Sequence, residues 1–431
     1  MYKDNNVRKK TKVNGNVLIV AVDIGKNTNT GYWRYPGGPE GKVFTFSNNR
    51  SGFELLMKNI CSARRVQDAK EVLVGFESTG IYGLPLAHYL RNQRLTVVQV
   101  NPMHTKRYKE VAGNNRTKSD KKDPLIIADL IEMSRYLSVI LPKGAPAHLR
   151  NLMQRRERIL VKKNMSTNQL QDLMFFIFPE FLHVMKGIRS KSAKYFIEHY
   201  PFPKDIISSG FEEICLVLKK ISRGKLGYKR ALEFFAAAKQ RIGIQEGWES
   251  IAIEIKQLIN EIKLYNEFIQ KIENDIFHYL KEVSISDYIL SIKGIGKLSA
   301  AGIIGEVGDF ESIRSSDSLI KLAGLNLCEN SSGKREGKLC ISKMGRTLLR
   351  KILFFAAINT VKKGGIMHDY YQKLIKKGKQ KLKALVAVMR KLLRRISALV
   401  RNKTYYQENY KIQFAAFSPL PSLLSIFFEN R

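Results

Sequence analysis

The chain has 431 residues, 44% of them hydrophobic, and a formal net charge of +36. This length predicts two or three domains, and the hydrophobic content excludes wholesale disorder. So large a positive charge calls for a polyanion to neutralise it, and nucleic acid is the usual one. A membrane surface is the alternative, but the basic residues run through the whole chain rather than lying beside an apolar anchor.

The first 145 residues alternate short buried strands with amphipathic helices. We predict strands at residues 17–25, 43–46, 72–77 and 96–100, and helices at residues 53–61, 82–91 and 124–135. Strands that alternate with helices are typical of an α/β domain. We therefore place an α/β domain at residues 1–145.

Helical patterns occupy the rest of the chain. Apolar residues three and four apart predict two long helices, at 149–178 and 247–283, that pair as an antiparallel coiled-coil-like arm within residues 146–285. A mainly α domain follows at 286–405. In it, residues 292–304 predict a helix, a Gly-x-Gly hairpin and a second helix, and residues 373–403 predict one basic amphipathic helix. The tail, 406–431, has no predicted structure.

Simple metal and membrane signatures do not occur in the sequence. The four cysteines form no CxxC pair and the seven histidines show no HxxxH spacing, so we expect neither a zinc site nor a disulfide framework. No apolar run reaches the roughly 18 residues that span a bilayer, and the polar N-terminus is unlike a secretory signal. We expect a cytoplasmic protein without a membrane partner.

Four acids of the α/β domain have the positions of a catalytic site. Asp23 and Glu77 end predicted strands, and Asp120 and Asp123 lie three residues apart at a helix start. Because strand ends of an α/β sheet meet at one edge, the four acids can converge there. Clustered carboxylates favour Mg²⁺ or Mn²⁺, which assist phosphoryl transfer. Taken singly, each acid is also explained as a turn residue or a helix cap.

A serine pair in the C-terminal domain lies among basic residues. Ser331 and Ser332 precede a glycine, and nearby cations could hold a scissile phosphate: Lys334, Arg335, Lys343 and Arg346. A serine hydroxyl is a poor nucleophile until a base, a metal or positive charge activates it. The alternative is a Ser-Ser-Gly turn on a basic DNA-binding surface.

The Gly-x-Gly hairpin and one further lysine are candidate nucleic-acid contacts. Gly294, Gly296 and Lys297 suit a hairpin whose backbone N–H groups cradle a DNA phosphate. A tight helix–helix turn without a ligand explains the same pattern. Leu298 excludes a nucleotide-binding P-loop, which needs Ser or Thr there. Lys118, beside the acidic pair, is expected to bind a nucleic-acid backbone.

Several stretches of the sequence together resemble a known family. They read VAVDIGKNT, VGFESTGIY, VNPMHTKRY and TKSDKKDPLIIADL in the first domain, and SIKGIGKLSAAGIIGEVGDF, LIKLAGLNL and SSGKREGKLCISKMGRTLLRKILF in the last. In this order they resemble the insertion-sequence transposases that join a RuvC-like DEDD domain to a C-terminal serine transposase domain, the group that includes the Piv invertase.

The resemblance implies specific roles for these residues. The N-terminal domain would have a ribonuclease-H-like (RuvC-like) fold, with Asp23, Glu77, Asp120 and Asp123 as its metal-binding DEDD acids. The serine directly before the glycine, Ser332, would form a covalent 5′-phosphoserine link with DNA, with Ser331 as the fallback. This chain has Leu327 where the family usually has a proline shortly before the serine.

The resemblance also implies partners. Donor and target DNA would be cut and rejoined under the guidance of a bridge RNA, by a dimer or tetramer in the nucleoid of a prokaryotic cell. Two other functions fit the same residues. A metal-dependent Holliday-junction nuclease would use the acids alone and leave no covalent adduct. A non-catalytic nucleic-acid-binding protein would use neither site.

Overall fold

The computed structural model describes residues 13, 15–77, 80–112, 122–139, 141–311, 313, 315–328 and 340–408. The chain divides into two compact units, Met1–Leu141 and Pro142–Arg431. Within the described ranges, no helix is both long and apolar enough to cross a membrane.

The first unit is built on a six-stranded sheet. In chain order its strands are β1 (Val17–Asp23), β2 (Thr28–Arg34), β3 (Phe44–Ser47), β4 (Glu71–Glu77), β5 (Thr96–Val100) and β6 (Tyr136–Ser138), and across the sheet they lie in the order β3-β2-β1-β4-β5-β6. β1, β4 and β5 are parallel, and the other pairs are antiparallel. The parallel strands therefore end at a common carboxyl edge.

Four helices cover the two faces of this sheet. They are α1 (Arg50–Val66), α2 (Gly83–Asn92), α3 (Pro102–Ala112) and α4 (Asp123–Glu132). Alternate side chains of β1 enter two cores: Leu18 and Val20 lie in the core that contains α1 and α2, and Ile19 lies in the core that contains α4. Burial on both faces explains why β1 is a continuous hydrophobic run.

Three elements of the first unit were not predicted from the sequence: β2, α3 and β6. β2 reads TNTGYWR, and its polar residues obscure the apolar pattern that would indicate a strand. One of these polar residues, Asn29, is nevertheless fully buried, and its Oδ1 accepts a hydrogen bond of 3.1 Å from Gly25 N. α3 is largely exposed and has no apolar stripe, so its periodicity is weak. The predicted strands and helices elsewhere in this unit coincide with observed elements to within a few residues, except that α1 is longer at both ends.

In the part of the second unit that the structure describes, all elements are helices apart from one short two-stranded ladder. Its elements are α5 (Ala145–Ile177), α6 (Pro179–Met185), α7 (Lys191–His199), α8 (Pro203–Ile221), α9 (Tyr228–Lys239), α10 (Trp248–Lys281), α11 (Ser286–Leu290), α12 (Lys297–Val307), α13 (Ser316–Leu322), β7 (Leu327–Cys328), β8 (Cys340–Ile341), α14 (Thr347–Thr360), α15 (His368–Lys376) and α16 (Lys381–Asn402).

The two long helices, α5 and α10, pack against each other in opposite directions. Arg156 pairs with Glu273 at 2.7 Å, whereas ten residues further along α5 the hydroxyl of Ser166 donates to Glu261 at 2.7 Å. Residues further along α5 thus contact residues earlier in α10, so the two helices are antiparallel. One end of the pair joins the core of the C-terminal helices, and the other joins a separate helical core.

That separate core belongs to a small helical subdomain, residues 178–247, which we call the head. It contains α6 to α9 and an aromatic cluster in which Phe196 and Phe234 meet edge to face with ring centroids 5.1 Å apart. Phe178 and Phe181 complete the cluster, and all four rings are fully buried. The sequence indicated helices here but did not give their arrangement.

The basic C-terminal stretch forms two helices rather than one. The prediction of a single helix over residues 373–403 is wrong, because α15 ends at Lys376 and α16 begins at Lys381. Gly378 lies between them with φ +78, a left-handed conformation that ends a helix and favours glycine. The buried face of α16, which includes Val388 and Leu392, packs into the C-terminal core.

Candidate active site

Two of the predicted acids lie side by side at the carboxyl edge of the sheet. Asp23 is the last residue of β1 and Glu77 is the last residue of the neighbouring parallel strand β4. The two strands pair with Val22 opposite Phe76, so the next residues, Asp23 and Glu77, are neighbours. Because adjacent residues of a parallel pair point to the same face, the alternation places both carboxylates on the face that α4 covers.

The direction of α4 brings Asp123 to the same edge. Near the end of α4, Asp129 and Glu132 each pair at 2.7 Å with Arg34. Arg34 ends β2, which runs antiparallel to β1, so this end of α4 lies at the amino edge of β1. The first residue of α4, Asp123, must then lie toward the carboxyl edge, on the face and at the edge where Asp23 and Glu77 lie.

One face of α3 contacts two of these acids. Thr105 Oγ1 donates a 3.0 Å hydrogen bond to Glu77 Oε2, and Thr105 is almost completely buried. Four residues later, Lys109 Nζ lies 2.7 Å from Asp123 Oδ1. Residues four apart share a helix face, so α3 presents a hydroxyl to one acid and a cation to another. Neither residue was predicted from the sequence, because the periodicity of α3 is too weak to indicate a helix. Their spacing of four residues would place both on one helix face once a helix is recognised there.

The acids suit a divalent metal by their chemistry. Carboxylate oxygens alone are the ligands that Mg²⁺ and Mn²⁺ prefer. Among the residues that the structure describes, no group of three or more His, Cys, Asp or Glu side chains is close enough to hold a metal ion. The fourth acid, Asp120, lies outside those residues, as does Lys118.

The serine pair also lies outside the described residues, with Lys334 and Arg335, but both flanks are described. β7 and β8 pair antiparallel, with Leu327 opposite Ile341 and Cys328 opposite Cys340. The last residue of β7 and the first residue of β8 are therefore paired with each other, on either side of the serine pair in the sequence. The sequence did not predict this ladder.

The base of the ladder packs closely on the end of α13. Gly324 has φ +65, and a Cβ at this position would lie 2.9 Å from the carbonyl carbon of Lys343 and 3.1 Å from Gly345 N. Arg350 Nη1 donates to Ala323 O at 3.0 Å, and Arg346 N donates to Leu322 O at 2.7 Å. Glycine is required at 324 both for its backbone conformation and for this approach.

Arg346 lies in a mostly buried polar network beneath the ladder. Its guanidinium is 3.6 Å from Glu306 Oε2 and donates to the backbone carbonyl of Glu306, while Gln154 Nε2 donates to the other carboxylate oxygen at 3.3 Å. Burial, and after it the positive charge of Arg150, lowers the pKa of Arg346 to about 10, although the charge of Glu306 opposes this shift. The structure thus places Arg346 beneath the ladder, whereas Lys343 is exposed beside it. Their binding to nucleic acid stays a prediction.

The Gly-x-Gly hairpin connects α11 to α12. Gly294 has φ +100, and a Cβ there would approach Thr360 Cγ2 at 3.0 Å, so the backbone requires glycine. Gly296 precedes α12 with open space around it, and Lys297 begins the helix with Nζ 5.6 Å from the Phe277 ring centroid. The turn alone explains Gly294 but does not require Gly296.

Two segments of the chain match family models of transposases. Residues 20–179 match a family model described as transposase, of the DEDD type named for IS110, and residues 286–372 match a model described as transposase, IS116/IS110/IS902 family. The first segment contains the strand-end acids, and the second contains the ladder. The chain is therefore a transposase-family enzyme, with the recombinase or transposase activity of that class.

Individual relatives extend over most of the chain at low identity. The IS116 insertion-element protein of Streptomyces clavuligerus is 22% identical over 90% of this chain and 96% of its own length. The IS110 insertion-element protein of Streptomyces coelicolor is 20% identical over 90% of this chain and 95% of its own. The pilin gene-inverting protein of Moraxella lacunata is 24% identical over 83% of this chain and 88% of its own.

Proposed function

We propose that the enzyme cuts and rejoins the DNA of an insertion sequence with the acids Asp23, Glu77, Asp120 and Asp123 and the nucleophile Ser332. The observation that carries the proposal is the placement of Asp23, Glu77 and Asp123 on one face at one edge of the sheet. A ribonuclease-H-like arrangement of the first unit is part of the proposal, supported by the mixed sheet order and the DEDD family match.

The four acids would hold Mg²⁺ or Mn²⁺. A bound divalent metal would favour deprotonation of the nucleophile and would stabilise the negative charge on the leaving oxygen of the phosphate. Thr105 orients the Glu77 carboxylate by its hydrogen bond. Lys109 balances the charge of Asp123 and limits the repulsion between the acids. Both act as positioning residues, through the acids that they contact.

Ser332 would perform the covalent step. Its oxygen attacks the phosphorus and forms a phosphodiester with the 5′ end of one strand. The bond from phosphorus to the 3′ oxygen breaks, and that oxygen takes up the proton that serine loses. A 3′ hydroxyl of the partner strand then attacks the phosphoserine and releases Ser332, so no bond energy is lost. The nearby cations, including Lys334 and Arg335, would stabilise the charge that develops on the phosphate.

The DNA would be recognised with the help of a bridge RNA, in a dimer or tetramer of this chain. The net charge of +36 supports a protein that holds several nucleic-acid backbones. Base pairing would then supply the sequence specificity, as in other RNA-guided enzymes. The insertion-element and gene-inverting relatives support an activity that moves or inverts DNA segments.

A covalent-trapping assay tests the proposal. The full chain is incubated with Mg²⁺, candidate flanking RNA and labelled element-end DNA, and is then separated on a denaturing gel. We expect an adduct that Ser332→Ala abolishes and Ser331→Ala retains. Metal-dependent cutting without an adduct would contradict the serine step and favour the junction nuclease.

A further inference from the structure

The head contains a cleft outside both segments that match the transposase models. It has a volume of about 670 Å³ and lies between the turn that joins α6 to α7 and the turn that joins α8 to α9. The matched segments are residues 20–179 and 286–372, so they provide no function for the cleft. Any function of the cleft must therefore follow from the chemistry of the residues that line it.

The lining of the cleft is cationic. Five basic residues line it, and no acidic residue does so among the residues described: Lys186, Lys191, Arg223, Lys225 and Arg230. Arg230 pairs with Glu233 at 2.7 Å. The other four make no ion pair within the described part of the chain. Four uncompensated cations around one concave surface repel one another, and a bound anion would relieve that repulsion.

The backbone adds to this positive potential. Ser190 caps α7 by accepting a hydrogen bond of 3.0 Å from Ala193 N, and Ser190, Lys191 and Ser192 all line the cleft. The N-terminus of α7, with its partial positive charge, therefore opens on the same cleft as the lysines. An anion in the cleft would interact with both.

The cleft is held in shape by the core of the head. The α8–α9 turn is closed by a 2.8 Å hydrogen bond from Leu226 N to Ser222 Oγ. On the other side, the α6–α7 turn is anchored by Ile188, which is buried in the aromatic core. A preformed cationic surface loses little conformational freedom when it binds a ligand.

We propose that this cleft binds the phosphodiester backbone of a nucleic-acid strand held by the enzyme. Several cations around one cleft of this volume suit successive phosphates better than a single small anion, and among the described residues no acidic side chain lines the cleft to repel a strand. The proposal rests on the proposed function for the presence of nucleic acid. It adds a contact in a part of the chain to which neither transposase model extends.

A binding measurement on the full chain tests the cleft. Lys186, Lys191 and Lys225 are changed together to glutamine, and fluorescence anisotropy with labelled RNA and DNA duplexes of one sequence is measured in EDTA across a salt series. We expect affinity to fall roughly tenfold at moderate salt. The salt slope should fall by about one for each lysine that binds a phosphate.

The matched control removes three other lysines from the head. Lys219, Lys220 and Lys229 are exposed on α8 and α9 but do not line the cleft. Their triple glutamine variant has the same net charge as the cleft variant and should bind nearly as the parent does. Equal losses in the two variants would show a general charge effect and overturn the proposal, as would unchanged binding in the cleft variant.

Two further arms complete the test. A loss of affinity confined to RNA, confined to DNA, or shared by both supports the proposal. It also shows which kind of nucleic acid the cleft binds. The corresponding Lys→Arg triple variant should retain affinity, which distinguishes lost charge from damaged folding. Because EDTA prevents metal-dependent cutting, the result is independent of Ser332 and the acids. Failure of the cleft would therefore leave the adduct experiment unaffected.

Discussion

Two regions hold the proposed catalytic residues in different ways: the acidic edge, which is the carboxyl edge of the sheet with Asp23, Glu77 and Asp123, and the ladder of the second unit. The acids belong to regular elements: Asp23 and Glu77 end adjacent strands of a six-stranded sheet. The serine segment, by contrast, is bounded by a ladder of two residue pairs whose base depends on a glycine and a mostly buried arginine. The edge is therefore fixed by sheet register, and the ladder by a few contacts beneath it.

The largest effect is expected at the acidic edge. Asp23→Asn removes one charge from the acids while preserving the shape of the side chain. Strand exchange should fall by roughly a thousandfold or more, whereas nucleic-acid affinity in EDTA should change less than twofold. Both quantities are measured on one preparation. Strand exchange at the parental rate would remove Asp23 from the site.

The next effect concerns the arginine beneath the ladder. Arg346→Met leaves the buried carboxylate of Glu306 without its cation, and removing one member of a buried pair costs about 3–5 kcal/mol of unfolding free energy. The double variant Arg346→Met, Glu306→Gln should regain most of that loss. Chemical denaturation measures both. A double variant no more stable than the single one would contradict the pairing.

A smaller effect is expected at the positioning hydroxyl of α3. Thr105→Val keeps the size of the side chain but removes the hydrogen bond to Glu77. Loss of a partner that orients a metal-binding carboxylate lowers activity by about 10–100-fold. The same change at the exposed Thr96 of β5 is the control and should leave activity unchanged. Equal activities in the two variants would show that the hydrogen bond does not matter.

The smallest effect separates backbone conformation from close packing at the ladder base. Gly324→Ala introduces a left-handed alanine and a Cβ that meets the Lys343–Gly345 backbone. Gly378→Ala introduces the same conformational cost in open space. Each substitution should lower the free energy of unfolding by about 1 kcal/mol or more because of its backbone conformation. The loss of unfolding free energy should be larger for Gly324→Ala than for Gly378→Ala, and equal losses would show that the ladder base is not tightly packed.

The sequence predicted the acidic edge better than the ladder for a physical reason. Buried strands such as β1 and β4 have hydrophobic runs that end at Asp23 and Glu77, so both the strands and their terminal acids are visible in the sequence. The direction of α4 depends on the ion pair between Arg34 and Asp129. These two residues are far apart in the chain, so no local sequence pattern contains their contact. α3 was missed because an exposed helix has no apolar stripe.

The ladder and the head depend on contacts that local periodicity does not record. β7 and β8 are two residues each, too short for alternation to appear. The break between α15 and α16 is marked by Gly378, but the amphipathic pattern on both sides concealed it. In the head, the helices are visible but the cleft arises only when two turns are brought together by the aromatic core.

The most direct test of the account is to determine whether a residue of the enzyme becomes linked to DNA, and which one. Adduct formed with Mg²⁺ is digested with nuclease and trypsin, and the peptide of residues 322–334, which contains both serines, is sequenced by mass spectrometry. The account predicts a nucleotide joined to Ser332 through its 5′ phosphate, and no such modification in the Asp23→Asn protein. Cut DNA without any modified peptide, or a nucleotide on any residue other than Ser332, would contradict it.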